Sequence, residues 1–131
     1  DSRLETPLNA RILEGDRVLV FSATPGTLPN AEVVHLPNPS KKVELPKMLE
    51  ELARRGVNEL HVEAGFRLNG SLVREGCVDE FLVYLNPSFL GDTAQGMVDL
   101  PSFAALEQRL KLKVLSLDRL GEDLRIVARP A

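Results

Sequence analysis

Residues 58–85, NELHVEAGFRLNGSLVREGCVDEFLVYL, restrict the folds open to this chain more than any other stretch. Leu60, Val62 and Ala64 alternate with Glu59, His61 and Glu63, the period of two expected of a half-buried strand, until Gly65 breaks the run. Leu68, Leu72, Val73 and Cys77 then recur near helical spacing, with Arg67, Asn69, Arg74 and Glu75 on the wet side. The spacing predicts a helix over 66–75. Phe81–Leu85 is apolar at every position, which predicts a strand covered on both faces at the middle of the sheet. Strand, helix and strand in this order predict a right-handed crossover between parallel neighbours.

A glycine between a strand and a helix lets backbone N–H groups come close to a phosphate, because there is no Cβ in the way. A plain strand-to-helix turn accounts for a single glycine equally well, and the three-glycine dinucleotide fingerprint is absent. Elsewhere the chain alternates in the same manner. Residues 18–21 are a continuous apolar run between Asp16-Arg17 and Pro25-Gly26, and Val33, Val34 and Leu36 form a shorter one. Pro25, Pro29, Pro37 and Pro39 deny helix to both adjoining connections. Leu45, Met48, Leu49 and Leu52, with Pro46 in the first turn and Gly56 after Arg54-Arg55, predict a helix over 46–55.

Residues 86–100 have no sustained period and read as a long loop, a common carrier of function. Phe103, Leu106 and Leu110 fit one side of a short helix over 103–110. Leu112 and Val114 share one parity and Leu115 and Leu117 the other, which predicts a bulge near Val114. Leu124, Ile126 and Ala128 alternate in a last strand, paired through Gly121-Glu122 into a hairpin.

Composition narrows the function classes. A formal charge of −3, from 16 basic and 19 acidic side chains, provides no global field for nucleic acid, and the short pairs Lys41-Lys42 and Lys111/Lys113 read as solvated faces. No apolar run approaches the roughly 18 residues of a membrane span, and no signal-peptide pattern opens the chain, so a cytoplasmic address is expected. Cys77, the single cysteine, reads as packing rather than redox or zinc chemistry. His35 and His61 have neither ligand spacing nor a triad partner in the sequence, so no metal is expected.

Glu63-Ala64-Gly65-Phe66-Arg67-Leu68, followed by Leu72, Val73, Val78-Asp79-Glu80, Pro87 and Leu90-Gly91, resembles the reductase domain of the bifunctional riboflavin biosynthesis protein RibD, in the dihydrofolate-reductase-like family. The resemblance runs from Asp1-Ser2-Arg3 and Thr6-Pro7 to Gly121-Glu122-Asp123-Leu124-Arg125. Ala64 departs from the family's usual Glu-Gly-Gly but keeps a small residue. The resemblance implies a three-layer α/β fold with a mainly parallel sheet and an antiparallel C-terminal hairpin. It also implies a single domain, over 1–131, that is incomplete at the N-terminal side, since the family's opening strand-helix-strand section would precede Asp1.

What the resemblance implies for function is NADPH-dependent reduction of 5-amino-6-(5-phosphoribosylamino)uracil, with hydride delivered to the ribosyl C1′ to leave a ribityl chain. Such a fragment is expected to be a poor reductase alone. The matching positions make Gly65, Phe66, Arg67 and Leu68 cofactor residues and place Ser2 near the ribose 2′-phosphate, although Ser2 could equally be part of a frayed end. Glu63 is the catalytic candidate, on the substrate side. Strand parity sets it with His61 on the polar face, at a strand end where open α/β sheets bind ligands. The alternative is a carboxylate that merely serves the next helix's amino end. Asp79-Glu80 also matches, though acidic residues before a strand are ordinarily solvated. The family further implies a homodimer and, in many members, a fused deaminase domain. A non-catalytic nucleotide-binding or dimerising module, or another reductase of the same fold, remains compatible with the sequence.

Overall fold

A computed structural model describes residues 1–131 as two compact units, Asp1–His61 and Val62–Ala131. No helix is long and apolar enough to cross a membrane.

The first unit has a short 3-10 turn at Arg11–Glu14, strands β1 (Val18–Ser22) and β2 (Ala31–His35), and helix α1 (Leu45–Arg54). The two strands run parallel, from Val18 opposite Ala31 to Ser22 opposite His35. Leu13, Leu28, Val43 and Leu45 are the buried apolar side chains of this unit. Ser22 is fully buried with them, and its hydroxyl donates to the Thr24 carbonyl at 2.8 Å while accepting the Thr24 N–H at 3.0 Å. Arg55 ties α1 to β2: it donates to Glu32 at 2.8 Å and to Glu51 at 2.6 Å. Hydrogen bonds from Arg55 hold the Glu32 carboxyl below its usual range, and those from Arg54 and then Arg55 do the same for Glu51.

The second unit holds α2 (Phe66–Arg74), β3 (Phe81–Leu85), a 3-10 turn at Leu106–Gln108, β4 (Leu112–Leu120) and β5 (Asp123–Pro130). The three strands form an antiparallel sheet in the order β3-β5-β4. The register slips between Val114 and Ser116, where the parity change predicted a bulge, and Leu120 pairs with Asp123 across the Gly121-Glu122 turn. Phe81, Val83, Ile126 and Ala128 share the better covered face, with Ala128 only 3% exposed, and Leu72 on α2 is buried to 4%.

Both helices stop in the same way. The Gly56 N–H donates to Ala53 and the Val57 N–H to Leu52; the Gly76 N–H donates to Val73 and the Cys77 N–H to Leu72. This double bond requires a left-handed residue after the cap, provided by Gly56 at φ 86° and Gly76 at φ 66°.

Three expectations are corrected. Residues 58–64 form no strand, and Leu60 and Val62 are exposed, because an alternating pattern marks a face without providing the partner that a strand needs. β3 pairs only with β5, antiparallel, so it is an edge strand of this sheet rather than a parallel central one. Its Leu82 and Tyr84 stand 44% and 59% exposed: one face is covered, not both. The helix over 103–110 contracts to the turn at Leu106–Gln108, since Leu106 is left mostly exposed and Phe103 and Leu110 are only half covered, and so short a helix is marginal without a packed face.

Candidate functional site

The amino end of α2 is where the second unit presents unused backbone chemistry. Gly65 is the N-cap, extended at φ −81° and ψ 170°, and it provides no side-chain cap. The first helical bond runs from the Asn69 N–H to the Gly65 carbonyl at 3.0 Å, so the N–H groups of Phe66, Arg67 and Leu68 have no acceptor within the helix. A Cβ built on Gly65 meets no atom within 4 Å. Space lies open at the helix start.

A cavity of about 380 Å³ occupies that position, lined by Gly65, Phe66, Arg67, Leu68 and Gln95. No acidic residue lies in the first turn of α2, whereas Arg67 does. A cation there opposes the positive end of the helix dipole, and a bound anion relieves that opposition while taking up the idle donors. The donor set is therefore matched to phosphate or pyrophosphate, which fits the cofactor that the family resemblance implied.

The far wall of the cavity comes from the long loop, seated on α2 by an arrangement that the sequence reading did not single out. Asn69 Nδ2 donates to the Ala64 carbonyl at 3.1 Å and to the Met97 carbonyl at 3.4 Å. The Asp99 N–H donates to the Phe66 carbonyl at 3.1 Å, and the Arg74 guanidinium donates to the Asp99 carbonyl and to Ser71 Oγ. Gly70 is buried beneath this segment, and a Cβ there would collide with the Asp99 carbonyl. The one available signal was a glycine inside a helical pattern, which usually has a packing reason. Gln95 gave none.

Of the residues singled out from the sequence, Gly65, Phe66, Arg67 and Leu68 come together on one cavity. Glu63 is exposed, two positions ahead of the N-cap, in the stretch without strand structure. Its expected direction therefore loses the strand parity on which it was based. Ser2 belongs to the first unit and is well anchored: its hydroxyl accepts the Val43 N–H at 3.2 Å, and its carbonyl accepts the Ala23 N–H at 3.1 Å and the Thr24 hydroxyl at 3.2 Å. The Asp1 nitrogen lies 3.0 Å from the Phe21 carbonyl, and these bonds together hold Ser2 against the first unit. His35 Nε2 meets the Ala23 carbonyl at 3.1 Å. Cys77 is half-buried, and burial followed by the nearby Glu75 pushes its thiol up, away from the reactive thiolate.

Comparison with known proteins identifies the family. The profile of the family described as "RibD C-terminal domain" matches residues 1–126. The riboflavin biosynthesis protein RibD of Haemophilus influenzae is 36% identical over 86 residues, 66% of this chain and 23% of its own length. The 2,5-diamino-6-ribosylamino-4(3H)-pyrimidinone 5′-phosphate reductase of Archaeoglobus fulgidus is 34% identical over 137 aligned residues, 98% of this chain and 60% of the relative. Among solved structures, Acinetobacter baumannii RibD superimposes with a TM-score of 0.85 at 28% identity, covering all of this chain and 36% of that one. The chain thus spans between about a quarter and three-fifths of the relatives it matches. The fold class is the dihydrofolate-reductase-like α/β class that the sequence led us to expect.

Proposed function

This chain belongs to the RibD C-terminal domain family, and on that premise we propose that it works, within a longer protein, as the carboxyl-terminal part of an NADPH-dependent pyrimidine reductase of riboflavin biosynthesis. The substrate is 5-amino-6-(5-phosphoribosylamino)uracil and the product its ribitylamino counterpart. The observation that carries the reading is the cavity at the start of α2, where three uncommitted N–H groups and Arg67 face open space beside Gly65. Membership in a reductase-bearing family supports reading that helix start as a cofactor site.

The backbone of Gly65, Phe66, Arg67 and Leu68 holds the pyrophosphate through N–H donors and the helix dipole. Ser2 is assigned to the ribose 2′-phosphate on the family resemblance; its hydroxyl oxygen accepts from Val43, which leaves the hydroxyl proton free to donate. NADPH supplies the hydride. Glu63 orients a substrate hydroxyl or amine and accepts or returns the proton that accompanies ring opening. Gln95 of the long loop lines the same cavity. The protein pairs as a homodimer, for which the unpaired edge of β3 and the exposed Val114 and Leu117 offer surface, and it can be joined to a deaminase domain.

The test is to mix the intact protein with NADPH and the phosphoribosylamino substrate, following NADPH absorbance and product mass. One equivalent of NADPH consumed per ribityl product is expected. Saturable NADPH binding with no turnover would instead make the chain a non-catalytic nucleotide-binding module.

A further inference from the structure

We propose that Asn69 is a positioning residue of the cofactor site, its one carboxamide fixing both walls of the cavity at the start of α2. The proposal rests on the cofactor reading above and adds how the cavity is held to width. Its two amide hydrogens serve different segments. One is given to the Ala64 carbonyl, immediately before the N-cap Gly65, and the other to the Met97 carbonyl, two positions beyond Gln95. Gly65 and Gln95 both line the cavity, and Asn69 bonds the residue before Gly65 and a residue two beyond Gln95.

The other loop contacts are made to the helix itself: the Asp99 N–H donates to the Phe66 carbonyl at 3.1 Å, Arg74 grips the Asp99 carbonyl, and Gly70 admits the Asp99 backbone against the helix surface. Asn69 adds the bond to Ala64, which ties the residue ahead of Gly65 to the same loop. A hydrogen bond at the edge of a loop is also the kind that opens locally, below the global stability of the unit. Weakening it therefore widens the cavity without unfolding the protein, and the loss falls on cofactor affinity rather than on the chemical step.

Asn69→Asp in the intact protein removes both donors at nearly constant shape, and Asn69→Ala removes them without adding a carboxylate near the anion. The Asp99 N–H, which donates to the Phe66 carbonyl, should then exchange about ten-fold faster in the unliganded protein, as expected for losing one or two partly buried hydrogen bonds nearby. The NADPH Kd, titrated directly by fluorescence, should rise about five- to ten-fold, with kcat at saturating NADPH within about two-fold of wild type. Gly70→Ala, which lifts the same segment by collision, should reproduce the pattern. If Asn69→Asp fails to fold, Asn69→Ala carries the same expectation. Faster exchange with an unmoved Kd in these variants overturns the proposal alone, since a merely structural clamp behaves so. A raised Kd with unchanged exchange also overturns it. Wild-type protein that does not bind NADPH overturns the cofactor reading and this proposal together.

Discussion

Helices α1 and α2 close with the same hydrogen-bonded turn, at Gly56 and Gly76, yet α1 opens on a buried Leu45 followed by Pro46 whereas α2 opens on a bare glycine beside a cavity. The start of α1 is chemically closed. Pro46 has no N–H to satisfy, Glu44 sits at the N-cap with its carboxylate 3.0 Å from Lys47, and Leu45 is buried. The start of α2 keeps all three first-turn donors, has glycine rather than glutamate at its N-cap and opens on a cavity. Similar sequence grammar ends both helices. What precedes the first turn decides which one is scaffold and which one can take a ligand.

That contrast can be broken from either side. Leu45→Ala should cost about 3 kcal/mol, the range for truncating a buried leucine, read as a lowered midpoint in urea with NADPH affinity of the folded protein unchanged. Gly65→Asp should do the reverse. Aspartate is a favourable N-cap, so the melting temperature should hold or rise, while a carboxylate placed in the open space lowers NADPH affinity by roughly a hundred-fold. Loss of stability together with binding would mean that Gly65 serves the fold alone. Glu63→Gln should leave NADPH affinity nearly unchanged and lower turnover by about ten-fold or more. Unchanged turnover with a lower melting temperature would withdraw Glu63 from the site.

The smallest effect concerns acid. Glu32 and Glu51 have depressed folded-state values through their arginine partners, so the stability they add is present above the ordinary carboxylate range and is lost as pH falls through the depressed values. The difference in melting temperature between wild type and Arg55→Met should therefore shrink toward zero as pH is lowered from 7 to about 3. The pairs are exposed, and the difference at neutral pH should be only a degree or two. Asp118, held down chiefly by its hydrogen bond from Arg125, should behave likewise against Arg125→Met.

Both helices were legible in the sequence because their signals are local: a stripe at helical spacing, Pro46 at one start, Gly56 and Gly76 at the two ends. The bulge beside Val114 was legible for the same reason, as a change of parity within a few residues. Where a strand partner distant in sequence decides the outcome, sequence was silent. Residues 58–64 have the pattern of a strand and no partner, and the apolar run of β3 could not indicate that its neighbour would be β5. In the site, Gly65, Phe66, Arg67 and Leu68 were readable as contiguous residues around one turn. Asn69, Gly70 and Gln95 owe their roles to a loop returning from beyond Pro87, and no local spacing announces that return.

The central claim is that the start of α2 takes the anionic part of the cofactor and the start of α1 does not. Amide chemical shifts of the intact, isotopically labelled protein during an NADPH titration test it most directly. The account predicts large, saturable shifts at Phe66, Arg67 and Leu68, with Lys47 and Met48 in the first turn of α1 unmoved. Saturable binding that leaves Phe66, Arg67 and Leu68 where they were would contradict it.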